Sequence, residues 1–329
     1  MIDQSFHLPV ANTRLFVRVC GNEQGPLVLY LHGGPGGFAT LQHHRYREVL
    51  EPDYLVAYLD QRGCGQSAEI DGTGQLNMGQ YLRDLDSVVG QLLDRYGKQG
   101  LNLMGDSWGA TYGFLYVLEH PAQVISLISN GGVADAAYMT RNLIEMEKAL
   151  TRELLARTQK PEQVAEYRKI MEELKRIEQS NFDDLYADTT LIKRTIPRQL
   201  NFNPYRVQPH GGPPGAEVLS DAGVDLDTAN GFFTKGRAVN EAFRQDPAFN
   251  KLHIVDRLAD IRIPVFVLQG DGDYSIGIDQ ANIIFAGLAA RHPGNKLLAI
   301  VPNAGHDTAD ENPEVVFPLI REFLDRYNT

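Results

Sequence analysis

Short apolar runs recur along the chain at 27–31, 54–59, 101–104, 124–129, 264–268 and 297–301, each the length of a strand buried on both faces. Residues 6–20 behave differently. They alternate around Phe6-His7-Leu8-Pro9-Val10 and Leu15-Phe16-Val17-Arg18-Val19, which predicts an antiparallel hairpin at the start. Between the runs the period lengthens: Tyr81, Leu85, Val88, Leu92 and Tyr96 mark one helix face, and 110–119 also reads as helix. Strand and helix in alternation predict an α/β protein with a mostly parallel, doubly wound sheet.

The alternation stops between about 133 and 250 and resumes at Ile261. Pro161-Glu162 has the form of a helix start, and Val164, Tyr167, Ile170, Met171, Leu174 and Ile177 form one apolar stripe, read as a packing face. A loop rich in proline and glycine is expected over 204–215. The chain therefore divides into a first core part at 1–132, a helical cap at 133–250 and a second core part at 251–329.

With 329 residues there is room for a large core carrying such an insertion. The charge adds an exclusion: 31 Lys and Arg against 42 Asp and Glu leave a net −11, which repels phosphate backbones and argues against a nucleic-acid partner. Two cysteines, Cys20 and Cys64, are too few for a disulfide framework. The N-terminus lacks a basic then apolar leader and no apolar run nears 18 residues, so a soluble, cytoplasmic protein without a membrane partner is expected. No cluster has metal-ligand spacing and no Gly-x-Gly-x-x-Gly follows a strand, so neither metal nor nucleotide cofactor is expected.

The candidate chemistry sits where strands end. Gly105-Asp106-Ser107-Trp108-Gly109 follows the apolar run at 101–104 and precedes a helix, the context in which G-x-S-x-G holds a nucleophilic serine on a tight turn. His32-Gly33-Gly34-Pro35-Gly36-Gly37 follows the run at 27–31 and offers a backbone N–H to a developing oxyanion; Gly34 is the choice, paired with the N–H of Trp108. Late in the chain Asp271 and Asp273 both follow a strand, and His306 follows another through Asn303-Ala304-Gly305. Among nine histidines His306 alone has that placement. His32 reads as a loop-holding residue, His120 and His292 as histidines beside prolines, and Cys64 as a neutral, semi-buried thiol in a glycine turn.

Taken together, His32-Gly33-Gly34-Pro35-Gly36, Asp60-Gln61-Arg62-Gly63-Cys64-Gly65-Gln66-Ser67, Gly105-Asp106-Ser107-Trp108-Gly109, Gly270-Asp271-Gly272-Asp273 and Gly305-His306 resemble the proline iminopeptidase branch of the α/β-hydrolases. The resemblance covers roughly 10–135 and 255–329. It implies an acyl-enzyme mechanism with Ser107 as nucleophile, His306 as base and Asp273, chosen by the family's G-x-x-D spacing, as the orienting acid. It also implies that Asp60-Gln61-Arg62-Gly63 buttresses the oxyanion loop, and that cap carboxylates hold a substrate ammonium. In Ala229-Asn230-Gly231-Phe232, similar to a cap segment where some relatives carry glutamate, this chain has Gly231. Glu217, Asp221, Asp225, Asp227 and Glu241 are therefore the expected amine anchors, with Gly33 also at the substrate. The implied substrate is a small peptide, aminoacyl amide or ester, cleaved next to a free N-terminal residue. An esterase, lactonase or thioesterase on the same core is the alternative, and a non-catalytic ligand receptor a more distant one.

Overall fold

A computed structural model describes residues 1–67, 75–179, 215–288 and 295–328. Its centre is an eight-stranded sheet built from β1 (Ile2–Val10), β2 (Thr13–Gly21), β3 (Leu27–Leu31), β4 (Leu55–Leu59), β5 (Leu101–Asp106), β6 (Val124–Asn130), β7 (Val265–Gly270) and β8 (Lys296–Val301), in the order β1-β2-β4-β3-β5-β6-β7-β8. The first two pairings are antiparallel and the remaining five parallel. Sequence pattern and position agree strand by strand. β3 and β4 are buried at every residue, whereas β1, at the edge, alternates and is largely exposed. Its two-residue turn to β2 places Asn12 at φ 62°, a conformation asparagine tolerates.

Helices cover both faces. On one lie α2 (Met78–Tyr96) and α3 (Trp108–Glu119); α1 (His43–Tyr46) and the last helix, α11 (Pro313–Tyr327), lie on the other. Asn77 caps α2 by accepting from Gln80 N–H at 2.9 Å, and Gly97 ends it at φ 62°. The expected face of Tyr81, Leu85, Val88 and Leu92 is the buried one.

After β6 the chain leaves the sheet in α4 (Ala136–Arg157) and α5 (Pro161–Gln179), continuing in α6 (Ala216–Ala222), α7 (Leu226–Gln245) and α8 (Pro247–Asn250). It returns beside its point of exit, where Ala136 N–H donates to Leu252 O at 2.9 Å and Ile254 N–H to Ala134 O at 2.9 Å. The insertion has two parts. Tyr167, Ile170, Leu174 and Ile177 of α5 pack on Leu143 and Ile144 of α4 in a small core of their own. By contrast, Val239 and Phe243 of α7 belong to the main core, where the Phe243 ring meets Trp108 at 5.1 Å and Tyr81 at 4.7 Å. The proline-rich stretch at 204–214 and His292 lie outside the described residues. The chain closes with α9 (Ile278–Gly287), β8, α10 (Thr308–Glu311) and α11.

Candidate active site

Ser107 stands between β5 and α3 at φ 55°, ψ −118°, a backbone conformation costly for any residue but glycine. Its own N–H is tied to Asn130 O at 2.7 Å. The flanking glycines are required by contact: a Cβ on Gly105 would stand 2.4 Å from the Gly109 carbonyl carbon, and one on Gly109 would stand 1.9 Å from Leu31 O. Strand, turn and helix thus touch backbone to backbone, and the serine side chain is pushed out where Gly33, Gly34 and His306 line the same hollow.

His306 and Asp273 come together from the loops after β8 and β7. His306 Nδ1 donates to Asp273 Oδ2 at 2.8 Å, which leaves Nε2 as the basic nitrogen. The carboxylate is itself fixed: Gln269 Nε2 donates to Oδ2 at 2.6 Å, and the N–H groups of Ser275 and Ile276 donate to Oδ1 at 2.7 and 3.1 Å. Burial alone would raise the Asp273 carboxyl; the facing imidazole and these donors overcome it and hold it below the usual range. Burial alone would lower His306, but the charge and hydrogen bond of Asp273, with Asp307 and Asp106 behind, push it up to about 9. Asp271, the other candidate, accepts from Ala304 N–H at 3.3 Å.

Gly34 and Trp108 line a second hollow with Ser107. As the first residue of α3, Trp108 has an N–H that the helical ladder does not use. The loop carrying Gly34 is held from below. His32 Nε2 accepts from Gln61 N–H at 3.1 Å, so its proton is on Nδ1, which donates to Gly33 O at 2.9 Å. Gln61 returns a bond to His32 O at 2.9 Å and accepts from Trp108 Nε1 at 3.0 Å. Burial pulls His32 down to about 4, and a neutral imidazole with both nitrogens engaged is a strut. Asp60 accepts from the N–H groups of Ala39, Thr40 and Gln66, and Arg62 is buried against Asp84. Cys64 is completely buried, not semi-buried, and burial pushes its thiol up to about 12.

From above, α7 lies on the same loop. Gly236 packs so closely that a Cβ there would stand 1.8 Å from Gly36 O, and Asn240 Nδ2 donates to Pro35 O at 3.0 Å.

The five cap carboxylates are not brought to Ser107. Asp221 is held by His44 and Arg47, Glu217 is exposed with Arg47 at 3.9 Å, and Asp225 caps α7 by accepting from Thr228 N–H at 2.7 Å. Asp227 and Glu241 are exposed, and none of the five lines either hollow among the described residues. The expectation fails for a physical reason: nearness in sequence to a cap segment does not say which face of a helix a side chain occupies. Gly231 also faces open space, with nothing within 4 Å of an added Cβ.

The acids that do share a hollow with Ser107 belong to the core: Asp106, Asp307 and Asp310, with Arg45 among them. Asp106 accepts from Tyr30 Oη at 2.6 Å and Asn130 Nδ2 at 3.2 Å. Sequence reasoning passes over all three as anchors, although Asp106 and Asp307 adjoin Ser107 and His306 in the chain. Elsewhere Cys20, His43 and Glu51 bring possible ligand atoms within 4.8 Å of one another, a cluster assembled from three segments and invisible to any spacing rule. There Glu51 already accepts from Tyr58 Oη at 2.8 Å, and the Cys20 thiol donates to Asp3 at 3.1 Å. Among the described residues no helix is long and apolar enough to cross a membrane.

Comparison with known proteins agrees with this architecture. Residues 26–313 match the family described as alpha/beta hydrolase fold. A putative proline iminopeptidase of Mycoplasma pneumoniae is 35% identical over 123 residues, 37% of this chain and 38% of that protein. The proline iminopeptidase of Lactobacillus delbrueckii subsp. lactis is 31% identical over 154 residues, 44% of this chain and 49% of its own length. The match thus spans half or less of these relatives. Among solved structures, a proline iminopeptidase-related protein from Thermus thermophilus superposes with TM-score 0.67 at 21% identity, covering 100% of this chain and 99% of the other. The chain belongs to the alpha/beta hydrolase fold family.

Proposed function

We propose that the protein is a serine hydrolase that cleaves an amide or peptide bond next to an N-terminal residue through an acyl-enzyme. Ser107 attacks the carbonyl carbon while His306 Nε2 takes the hydroxyl proton, and Asp273 holds the imidazole and stabilises its charged form. The oxyanion forms between the N–H groups of Gly34 and Trp108. Collapse of the tetrahedral intermediate passes the proton to the leaving amine, and water repeats the sequence to free the acid. The observation that carries this reading is the His306–Asp273 pair at 2.8 Å opening on the hollow that holds Ser107. The names of the relatives favour the amide bond and a peptide substrate. In this reading a free amine is held by the core acids Asp106, Asp307 and Asp310, because the five cap acids stand elsewhere.

That displacement also favours a second reading, hydrolysis of an ester by the same groups with no amine required. Comparison of an aminoacyl p-nitroanilide with its N-acetyl form separates the two. Preference for the free amine is expected, and preference for the acetylated substrate replaces the first reading with the second.

A further inference from the structure

The end of β6 carries none of the reacting groups, yet both sides of the site rest on it. In register Asn130 stands opposite Asp106 of β5 and Leu268 of β7, between the strand that leads to Ser107 and the strand that leads to Asp273. Its carbonyl accepts the Ser107 N–H at 2.7 Å, the bond that holds the nucleophile turn. The next residue, Gly131, donates its N–H to Leu268 O at 3.0 Å and lies against the base: a Cβ there would stand 3.1 Å from His306 Cε1 and 3.7 Å from Asp273 Oδ2.

The Asn130 side chain makes a second connection. It is buried, its Nδ2 donates to Asp106 Oδ1 at 3.2 Å, and its Oδ1 accepts from Thr308 Oγ1 at 2.9 Å. Thr308, also buried, opens α10 two residues after His306. The orientation of the amide follows from its neighbours: a carboxylate only accepts, so Asp106 takes the amide N–H and leaves the amide oxygen to the threonine hydroxyl. One side chain thus joins the residue before Ser107 to the loop that carries His306, although those loops follow β5 and β8, which β6 and β7 separate in the sheet. Leucine at this position would supply neither bond, and aspartate would set a second carboxylate against Asp106.

We infer that Asn130 is a positioning residue, whose side chain fixes the His306 loop against the nucleophile turn and so sets the approach of the imidazole to Ser107 Oγ. This role rests on the reading of Ser107 as nucleophile, and holds whichever acyl group is cleaved. A base held less tightly leaves binding alone and loses alignment, so the loss belongs to the chemical step.

An alkyl fluorophosphonate tests this without a choice of substrate. Ser107 Oγ displaces fluoride from phosphorus while His306 takes the hydroxyl proton, and the saturating rate constant kinact is read separately from the half-saturating concentration KI. Asn130→Leu should lower kinact by about ten- to a hundredfold, the cost of a misplacement of up to about 1 Å, and change KI by less than about threefold. Thr308→Val, which removes only the hydroxyl bond, should lower kinact by about three- to tenfold, the scale of one hydrogen bond, and Thr308→Ser, which keeps the hydroxyl, should stay near the wild-type rate. The double variant with Asn130→Leu and Thr308→Val should lose no more than Asn130→Leu alone, because the shared bond is already gone. Wild-type kinact in Thr308→Val, equal losses in Thr308→Val and Thr308→Ser, losses that multiply in the double variant, or losses carried by KI each overturn the role of Asn130. If Asn130→Leu does not fold, the two threonine variants decide by themselves. A probe that leaves the wild-type protein unmodified, or reacts equally after Ser107→Ala, shows instead that the nucleophile reading has failed, and the role of Asn130 falls with it.

Discussion

The loops at the strand ends and the insertion that covers them follow different rules. In the core, each candidate group follows a strand of fixed register, so position along the chain determines position in space: Ser107 after β5, Asp273 after β7, His306 after β8. In the insertion, helices present side chains around their whole circumference, and only packing decides which reach the serine. Asp225 and Asp227 stand together at the start of α7, yet neither lines a hollow; Asn240 and Arg244, one turn apart, both do. The contrast teaches that a motif fixes the side chains at strand ends, whereas helix phase decides which side chains of the insertion line the hollows.

The comparison can be broken most severely at the serine. Ser107→Ala and His306→Ala should each lower kcat by about 10⁴-fold or more, and the double variant should lose little beyond either, since the groups act as one unit. Residual turnover above about a hundredth of wild type in either single variant would place the chemistry elsewhere. Next in size, Asp273→Asn should cost up to about 10⁴-fold while Asp271→Asn, whose carboxylate is bound to Ala304 N–H, should cost less than about tenfold. Equal losses would move the acid to Asp271.

The seam between the two regions gives the third test. Gly236→Ala forces α7 away from the oxyanion loop, and a displacement near 1 Å in such a support lowers turnover by about 10²-fold. Its counterpart Gly231→Ala, on the same helix but facing open space, should leave turnover alone and raise stability by about 0.5–1 kcal/mol in denaturant unfolding. Matching kinetic losses at the two glycines would show that α7 is not seated on the loop.

A fourth, smaller effect is in pH. The base must be neutral, and His306 is raised, so kcat/KM should fall tenfold per unit below an apparent pKa that lies above the ordinary 6.5, toward about 9. Asp106→Asn removes one of the charges that raise it and should move the acid limb to lower pH; a limb unmoved, or lying below 6.5, would contradict the placement of these charges. The smallest effect belongs to the cap acids. Neutralising Glu217, Asp227 or Glu241 singly should change KM for a free-amine substrate by less than about threefold, the order of an exposed ion pair. A strong rise in KM would return the amine anchor to the insertion.

Much of this is legible in the sequence. Runs such as 27–31 and 101–104 read as strands because a strand covered on both faces has no polar side to show, and the stripe through Tyr167, Ile170, Leu174 and Ile177 reads as a packing face, whose partner α4 only the fold supplies. The choice between Asp271 and Asp273 needed the family spacing; the sequence context of both was the same. Arg244 had no signal at all, being one of 31 cations with nothing adjacent to mark it. Nor did Cys20, His43 and Glu51, whose meeting depends on β2, α1 and the turns after α1 folding together. What sequence withholds is the phase of a helix against its neighbours.

The meeting of Gly36 with Gly236 has one more consequence. Both partners are already the smallest residue, so the joint has no reserve: a larger side chain on one strand of backbone finds no smaller replacement opposite to make room for it. Other packing faults in a protein can be repaired by a second substitution nearby. This one can be undone only by reversal, or by redrawing the path of a helix. The helix α5, which packs on α4 in a small core of its own, has no such backbone joint, while α7 is bound to the loop carrying Gly34 as a hinge pin is bound to its barrel.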